Sequence, residues 1–188
     1  MTTPIDPHVF RDDPIGQSQD ELFDVVDADD RVIGRATRRH VHAEGLMHRA
    51  VHCWVVRTDG SLVLQMRSRH KDICPLTWTS SASGHVDAGE SYRQAVVREL
   101  QEELGLPVAV ADRVELLHTY AACLELGNEH TQLFKLVTDA AMDPDPAEVA
   151  YLEQRPLPEW LAEIDRQPAT FSSSVAMMLQ QDGHRLQR

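Results

Sequence analysis

Three glutamates, Glu99, Glu102 and Glu103, crowd one short segment of the chain and could act together chemically. Their spacing of i, i+3 and i+4 would place them on one face of a helix. Like charges at this spacing cost only about 0.2–0.5 kcal/mol per pair, which a solvated helix face tolerates. The alternative is a metal site, because converging carboxylate oxygens suit Mg²⁺. Spacing alone favours the solvated face.

The loop before these glutamates reverses that preference. Gly84 and Gly89 bracket the loop, and Glu90 closes it. Glycine lets the backbone approach another segment or a ligand closely. Carboxylates that converge from a loop and a helix can hold Mg²⁺, which proteins often share with substrate phosphates. The loop and the helix together therefore indicate a metal site.

A helix over residues 92–104 is needed to position the glutamates. Ser91 and Gln94 have the spacing of a capping box at its start, and Gly105 and Pro107 follow its end. At about 100° per residue, one apolar stripe on this helix can pack on a sheet. Its members are Val96, Val97, Leu100 and Leu104.

The remaining elements predict a sheet between helices. Apolar runs separated by turn residues predict hairpins over residues 21–38 and 50–68 and strands over residues 78–83, 113–126 and 131–138. Two further helices are predicted over residues 157–166 and 173–181. This pattern predicts a single α/β or α+β domain over residues 20–188. Residues 1–19 contain three prolines and predict a flexible N-terminal arm.

The composition of the chain limits its possible partners and its expected location in the cell. The 188 residues carry a formal net charge of -12, which argues against nucleic acid as the main partner. The three cysteines, Cys53, Cys74 and Cys123, form no C-x-x-C pair, and reduced thiols fit the cytoplasm. The first residues lack the apolar core of a signal peptide, and no apolar run suits a membrane. Oligomeric state stays open between a monomer and a homodimer.

Residues 84–106 resemble the Nudix box, G-x5-E-x7-R-E-U-x-E-E-x-G-U, where U is a bulky aliphatic residue. Every fixed position of that pattern is filled, by Gly84, Glu90, Arg98, Glu99, Leu100, Glu102, Glu103, Gly105 and Leu106. The resemblance implies the Nudix fold, an α/β/α sandwich with a mixed central sheet. It also implies a Mg²⁺- or Mn²⁺-dependent hydrolase that cleaves a nucleoside diphosphate derivative or another small diphosphate.

The same resemblance implies a role for each residue of the pattern. The metal ligands would be Glu99, Glu102 and Glu103, and either Glu102 or Glu103 would also position or deprotonate the attacking water. Gly84 would support the site, as would Glu90 and Arg98, which usually pair with each other in this family. The chemistry agrees, because metal ions neutralise diphosphate oxygens and acidify bound water, and a carboxylate can take its proton.

The flanking segments resemble one branch of this superfamily, the type I isopentenyl-diphosphate isomerases. Their metal is held by three histidines and two glutamates. Because His48, His85 and Glu129 match three of those five positions, they are candidates for contact with substrate or a second metal. The remaining histidine position falls near Val41, between His40 and His42.

Two departures separate the chain from those isomerases. Ser83 stands where they need a cysteine, and Gly127 stands where they carry the second glutamate. A hydroxyl has a pKa far above that of a thiol and is a poor substitute in proton transfer. The sequence therefore favours a hydrolase from the isomerase-like branch. An isomerase-like enzyme and a non-catalytic nucleotide-binding module are the alternatives.

Several other residues have two interpretations. Glu148 precedes a predicted short strand and is a candidate further acid of the site, or a loop carboxylate without function. His52 is expected to be a partly buried structural histidine. The three tryptophans, Trp54, Trp78 and Trp160, are expected in the core or at its rim rather than stacked on a base.

Overall fold

A computed structural model describes residues 18–71 and 73–187 of the protein. The predicted flexible arm lies outside the described residues as far as residue 17 and stays a prediction. The strands are β1 (Leu22–Val26), β2 (Val32–Thr37), β3 (His48–Val56), β4 (Leu62–Arg67), β5 (Trp78–Thr79), β6 (Ala82–His85), β7 (Glu115–Tyr120), β8 (Glu129–Val137) and β9 (Val149–Arg155). The helices are α1 (Arg38–Glu44), α2 (Tyr92–Leu104), α3 (Val108–Ala111), α4 (Leu157–Arg166) and α5 (Ser173–Asp182), and one 3-10 turn spans Leu124–Leu126. None of the described helices has the length and apolar character needed to cross a membrane.

Seven of the strands form one mixed sheet. Its order is β5-β4-β3-β8-β7, with β6 paired to β3 and β9 paired to β4. Strands β3 and β8 run parallel, and the other pairings are antiparallel. The hairpin of β3 and β4, predicted from the turn through Gly60, is confirmed. Strands β1 and β2 form a separate antiparallel pair.

Helices cover both faces of the large sheet, because its central strands are apolar on both sides. Along β3, Cys53 and Val55 belong to the core that α2 closes, whereas Trp54 belongs to the core that α4 and α5 close. This alternation follows from the two-residue period of a strand. The α/β/α sandwich with a mixed central sheet is therefore confirmed. Trp78 and Trp160 also lie in the core, as predicted.

Helix α2 begins and ends where the sequence predicts. The hydroxyl of Ser91 accepts a hydrogen bond from the backbone N–H of Gln94 (3.3 Å), and the Gln94 side chain accepts one from the backbone N–H of Ser91 (3.0 Å). Gly105 ends the helix at φ 64°, a left-handed conformation that costs glycine little. The apolar stripe packs on the sheet and buries Val96 and Leu100.

Helix α1 was not predicted. Strand β2 ends at Thr37, whose hydroxyl accepts a hydrogen bond from the backbone N–H of His40 (3.4 Å) and caps the new helix. Gly45 closes the helix in the left-handed region at φ 61°. Threonine before a helix and glycine after it are ordinary boundary signals. The short helix between them places Arg38 beside His85 and His42 beside His48.

The single strand predicted over residues 78–83 is two strands, β5 and β6. Ser80 and Ser81 separate them, and both are fully buried. The hydroxyl of Ser81 accepts from the backbone N–H of Val55 (2.7 Å) and donates to the carbonyl of Val63 (2.5 Å). These side-chain bonds satisfy backbone groups of β3 and β4 where strand pairing is interrupted.

Candidate active site

Seven acidic side chains line one cavity of about 420 Å³. We call it the carboxylate cavity, and its acidic residues are Glu21, Asp87, Glu99, Glu102, Glu103, Asp145 and Glu148. Arg38, Arg98 and His85 also line it. Carboxylates outnumber arginines by seven to two, and such an excess of negative charge is characteristic of sites that take a divalent cation.

Glu99 lies against the backbone of Gly84. A Cβ atom at position 84 would overlap the Glu99 carboxylate, so only glycine allows this approach. Nη1 of Arg98 donates a hydrogen bond to Oε1 of Glu99 (2.6 Å). Burial raises the pKa of Glu99 well above its usual range, and the charge of Glu103 raises it further. Burial therefore opposes ionisation of this carboxylate, and a divalent cation beside it would favour ionisation.

Arg98 ties the loop to helix α2. Its Nε and Nη2 donate to the two oxygens of Glu90, at 3.1 and 2.9 Å. Nη2 also donates to the carbonyl of His85 (3.0 Å), and Nη1 donates to Oε2 of Glu102 (3.1 Å). The bidentate pair fixes the guanidinium plane. One arginine thus holds the loop in place and contacts two of the predicted metal ligands, Glu99 and Glu102.

Glu103 is buried beneath the cavity. Its Oε2 accepts two hydrogen bonds, from Nε2 of Gln65 (2.9 Å) and from the backbone N–H of Ser83 (2.9 Å). Burial raises the pKa of Glu103 to about 7, although the charge of Lys71 and the bond from Ser83 lower it in part. Lys71 is itself buried and forms an ion pair with Glu148. A carboxyl group with this pKa can exchange a proton near neutral pH.

Three histidines converge beside the carboxylate cavity. His42 comes from α1, His48 begins β3, and His85 ends β6. One ring nitrogen from each lies within 4.8 Å of the others. The rings of His48 and His85 stack at 5.1 Å between centroids, and Phe23 stacks on His85 at 4.7 Å. We call these three residues the histidine cluster.

Glu129 faces the histidine cluster because of strand register. His48 and Glu129 are directly paired at the start of the parallel strands β3 and β8. Oε1 of Glu129 lies 3.2 Å from Nε2 of His85 and 3.5 Å from Nε2 of His48. Nδ1 of His48 donates to the carbonyl of Leu46 (2.9 Å), so Nε2 turns inward, buried and without a hydrogen bond among the described residues.

The pKa values of Glu129 and His85 both lie below those of exposed groups. Burial alone would raise the pKa of Glu129, but His48 and His85 hold it well below its usual range. Burial lowers the pKa of His85 to about 4, so its ring is neutral at physiological pH. A neutral imidazole and an ionised carboxylate are the forms that bind metal ions.

Arg38 joins the carboxylate cavity to a second cavity of about 210 Å³, because it lines both. Its side chain is only 1% exposed. Nη1 donates to Nδ1 of His85 (3.0 Å) and lies 3.7 Å from Oε2 of Glu21. Arginine only donates hydrogen bonds, so Nε2 of the neutral His85 ring carries the proton and faces Glu129.

The second cavity continues from the histidine cluster toward the start of α5. It is lined by His42, His52, His85, Glu129, Arg67, Thr79, Ser83 and Ser172–Ser174, among others. Nδ1 of His52 contacts the hydroxyl of Ser80 at 2.8 Å. Burial lowers the pKa of His52 to about 4, so the ring adds no charge at neutral pH. His52 therefore combines a structural hydrogen bond with a place in the cavity wall.

The predicted site residues fall into two adjoining groups. The carboxylate cavity brings together Glu99, Glu102 and Glu103, with Gly84, Glu90 and Arg98 around them. The histidine cluster brings together His48 and His85, and Glu129 faces both of them. Glu148 lines the carboxylate cavity as well.

One sequence assignment needs correction, and two residues were missed. The third histidine position was expected near Val41, but Val41 is fully buried in a small core, and His42 reaches the cluster instead. Gln65 could have been found, since it is a polar residue inside an apolar strand. Arg38 gave no such signal because helix α1 was not predicted.

Comparison with known proteins identifies the region that carries this site. The NUDIX domain family matches residues 46–172. An uncharacterized Nudix hydrolase from Clostridium acetobutylicum is 42% identical over 91 residues, which cover 47% of this chain and 44% of that protein. The chain spans about half the length of this relative and of two similar Nudix hydrolases.

A second kind of relative aligns over most of the chain. An isopentenyl-diphosphate Delta-isomerase from Burkholderia multivorans is 31% identical over 170 residues, covering 87% of this chain and 94% of that protein. Among solved structures, DR0079 from Deinococcus radiodurans superimposes with a TM-score of 0.76 at 23% identity, covering 86% of this chain and 99% of that one. At that identity the superposition supports the fold alone.

Proposed function

Because the chain belongs to the NUDIX family, we propose that it is a metal-dependent hydrolase that cleaves a diphosphate linkage by attack of water at phosphorus. The observation that carries this proposal is the carboxylate cavity. Seven carboxylates and two arginines leave the cavity strongly negative, so a diphosphate would be repelled. A divalent cation, Mg²⁺ or Mn²⁺, would reverse that repulsion and let the anion enter.

The donor set fits such an ion. Glu99 and Glu103 are buried and burial raises the pKa of each, so a divalent cation beside them would favour their ionised forms. Both hydrogen bonds to Glu103 reach Oε2, and Oε1 receives none from the described residues. Oxygen ligands from Glu99, Glu102 and Glu103 are those that Mg²⁺ prefers. When bound, the ion would neutralise phosphate oxygens and acidify a water molecule.

The chain's own residues would contact the diphosphate and accept the proton from the attacking water. Arg38, buried between both cavities, would contact the diphosphate as a fixed positive charge. Glu102 and Glu103 are our candidates for the group that takes the proton from water. Glu103 has a pKa of about 7, and Glu102 is the most exposed of the three glutamates, with 58% of its side chain accessible.

The histidine cluster would hold a second divalent ion. Two ligand atoms that bind one ion at about 2.1 Å lie about 3.0–3.5 Å apart. The distances from Glu129 Oε1 to the Nε2 atoms of His85 and His48 are 3.2 and 3.5 Å. Imidazole nitrogens favour Zn²⁺ and related transition metals over Mg²⁺. The alternative role is contact with the substrate by His48, His85 and Glu129.

Loading this second site would displace two existing hydrogen bonds, from Nε2 of His85 to Glu129 and from Arg38 to Nδ1 of His85. Because a neutral imidazole has a single N–H proton, an ion on Nε2 would require that proton to sit on Nδ1. That proton would oppose the N–H group of Arg38, which now donates to Nδ1. A metal ion on Nε2 of His85 and the present hydrogen bond from Arg38 to Nδ1 would therefore exclude each other.

A second candidate function is isopentenyl-diphosphate isomerisation. It is favoured by the isomerases that are 30–31% identical over 82–87% of this chain. Ser83 argues against it, because the isomerase resemblance requires a cysteine there. Gly127 also argues against it, since this residue has φ 68° and a glutamate would be strained in that conformation. The intact glutamate set also argues against a non-catalytic module.

We also infer the setting of the enzyme. Its partner would be a small diphosphate rather than nucleic acid, given the net charge of -12. The three cysteines are free thiols, and a cytoplasmic location is proposed from this usage.

The test is release of phosphate or nucleoside monophosphate from a panel of diphosphates with Mg²⁺ or Mn²⁺. We expect turnover that is lost with chelator and in Glu102→Gln and Glu103→Gln. Glu159→Gln is the matched control, because Glu159 is an exposed helical glutamate outside both cavities. Unchanged rates in both Glu102→Gln and Glu103→Gln would refute the mechanism. Conversion of isopentenyl diphosphate to its allylic isomer would establish the second candidate.

A further inference from the structure

A polar side chain stands in the middle of an otherwise apolar strand. Gln65 occupies β4 and is fully buried. Because side chains alternate along a strand, Gln65 shares a face with Val63, which belongs to the core closed by helix α2. Leu64 and Met66 belong to the opposite core. Gln65 is thus directed to the helix that carries the three glutamates.

The backbone of Gln65 is held on both sides. In the sheet it is paired with Thr79 of β5 and with Leu152 of β9. A residue between two partner strands has little freedom to shift. Its side chain therefore extends from a fixed point toward Glu103.

The contact between Gln65 and Glu103 has a defined direction. Nε2 of Gln65 donates to Oε2 of Glu103 (2.9 Å), and the backbone N–H of Ser83 donates to the same oxygen (2.9 Å). Ser83 is itself paired with His52 in the sheet, so this second donor is also fixed. The reversed amide would place Oε1 of Gln65 against a carboxylate oxygen, which only accepts.

The other half of the amide has no partner. Oε1 of Gln65 is buried and makes no hydrogen bond among the described residues. A buried oxygen without a donor destabilises a folded protein, and leucine or methionine would avoid that cost in this core. A glutamine at this position is therefore better explained by its bond to the neighbouring site than by packing.

We propose that Gln65 is a positioning residue of the metal site, which holds Glu103 through Oε2 and leaves Oε1 as its one atom for Mg²⁺. Two donors on one oxygen fix the carboxylate plane and restrict Glu103 to a single ligand atom. Such outer contacts orient metal ligands in other proteins, and their loss lowers metal affinity about 10–100-fold. This inference rests on the proposed function, because it requires Glu103 to bind the metal.

The test compares Mg²⁺ affinity, measured by calorimetry, with thermal stability of the metal-free protein. Mg²⁺ is used because the histidine cluster favours softer ions. Gln65→Met removes the donor and the unpaired oxygen together. We expect its Mg²⁺ dissociation constant to rise about 10-fold or more, with melting temperature unchanged or higher. Turnover should recover at saturating Mg²⁺, which separates Gln65→Met from Glu103→Gln.

Two further variants keep the test decisive. Gln65→Asn retains an amide that is one methylene too short to reach Glu103, and it should lose Mg²⁺ affinity as Gln65→Met does. Gln154→Met is the matched control, since Gln154 is exposed on the neighbouring strand β9. It should leave Mg²⁺ affinity unchanged.

The outcomes separate this inference from the proposed function. Unchanged Mg²⁺ affinity in Gln65→Met, or in Gln65→Asn if Gln65→Met does not fold, overturns the positioning role. A fall in melting temperature with unchanged affinity also overturns that role and assigns Gln65 to the core. If Glu103→Gln itself leaves Mg²⁺ affinity unchanged, the proposed metal site is wrong.

Discussion

The carboxylate cavity and the histidine cluster adjoin each other but are assembled differently. The main acids of the cavity come from α2 and the loop before it, within one short segment. The donors of the cluster, together with Glu129, come from four elements, α1, β3, β6 and β8. Helix periodicity places the three glutamates of the first site on one face of a local segment, whereas strand pairing assembles the second site.

The two regions also differ in how burial shifts the pKa values of their side chains. Burial raises the pKa of Glu99 and of Glu103, to about 7 for Glu103, and so opposes their negative charge. Burial lowers the pKa of His85 to about 4 and so keeps it neutral. A cation in the cavity would therefore favour the ionised carboxylates, while His85 adds no positive charge to the cluster at neutral pH. This difference predicts that the two regions respond to different metals.

The largest expected effect is loss of turnover on removing one of the proposed metal ligands of the cavity. Glu99→Gln keeps the shape of the side chain but removes the charge that would bind Mg²⁺. We expect Mg²⁺-dependent turnover to fall by about 100-fold or more, beyond the 10–100-fold typical of losing an outer contact. Zn²⁺ binding at the histidine cluster should not change. Equal losses for both metals would mean that the two regions form a single site.

A reciprocal substitution in the cluster should produce the opposite pattern. His48→Gln removes the buried Nε2 that faces Glu129, so Zn²⁺ affinity should fall about 10–100-fold while Mg²⁺ affinity stays the same. Competition with a chromophoric chelator measures the Zn²⁺ affinity. His40→Gln is the control, because His40 is an exposed residue of α1 outside the cluster. If Zn²⁺ affinity is unaffected by His48→Gln, the cluster is not a metal site.

Gly84→Ala tests the close approach of loop and helix. The new Cβ would displace the Glu99 carboxylate, so we expect Mg²⁺ affinity to fall about 10-fold. Stability should change little, because the displaced atoms lie at the end of a side chain. Gly34→Ala is the control, since no atom lies within 4 Å of a Cβ at that position. Unaltered Mg²⁺ affinity in Gly84→Ala would show that Glu99 does not need this geometry.

The smallest expected effect is on the pH dependence of the free energy of unfolding. The two regions contribute to that dependence with opposite sign. The folded pKa of Glu103, about 7, exceeds its ordinary 4.5, so its contribution to stability falls as pH rises through that window. The folded pKa of His85, about 4, lies below its ordinary 6.5, so its contribution rises with pH across that range. Thermal melts of the metal-free protein from pH 4 to 8 measure both.

Substitution separates the two contributions to the pH dependence. In Glu103→Gln, the decline in stability between pH 5 and pH 7 should be weaker than in the natural chain, while the rise attributed to His85 should persist. Adding Mg²⁺ should also stabilise the natural chain more at pH 8 than at pH 6, because the ion competes with the proton on Glu103. An identical decline in Glu103→Gln would assign it to another group.

Sequence reasoning succeeded where the information is local. The bounds of α2, its cap at Ser91 and the β3–β4 hairpin all follow from neighbouring residues. It failed at α1, where seven residues between Thr37 and Gly45 are too short to show helix periodicity. That miss hid Arg38 and left His40 and His42 undistinguished beside Val41, the expected place of the third histidine.

The contacts between distant segments could not be predicted without the strand order. Nothing in the sequence shows that Gln65 meets Glu103 or that Lys71 meets Glu148. Both contacts depend on how β4 is positioned under α2 and beside β9. Gln65 gave a partial signal, since a polar residue in an apolar strand requires a partner, but its partner lay beyond local reasoning.

The pairing of His48 with Glu129 has a consequence for how this protein can diversify. Their separation is set by backbone hydrogen bonds between two parallel strands, and not by the long segment that connects those strands. Loops in that segment can therefore be lengthened, shortened or exchanged while the two side chains stay opposed. A one-residue deletion inside either strand would instead send one of them to the other face of the sheet. Libraries that seek new substrates should accordingly vary the loops and leave the starts of β3 and β8 untouched.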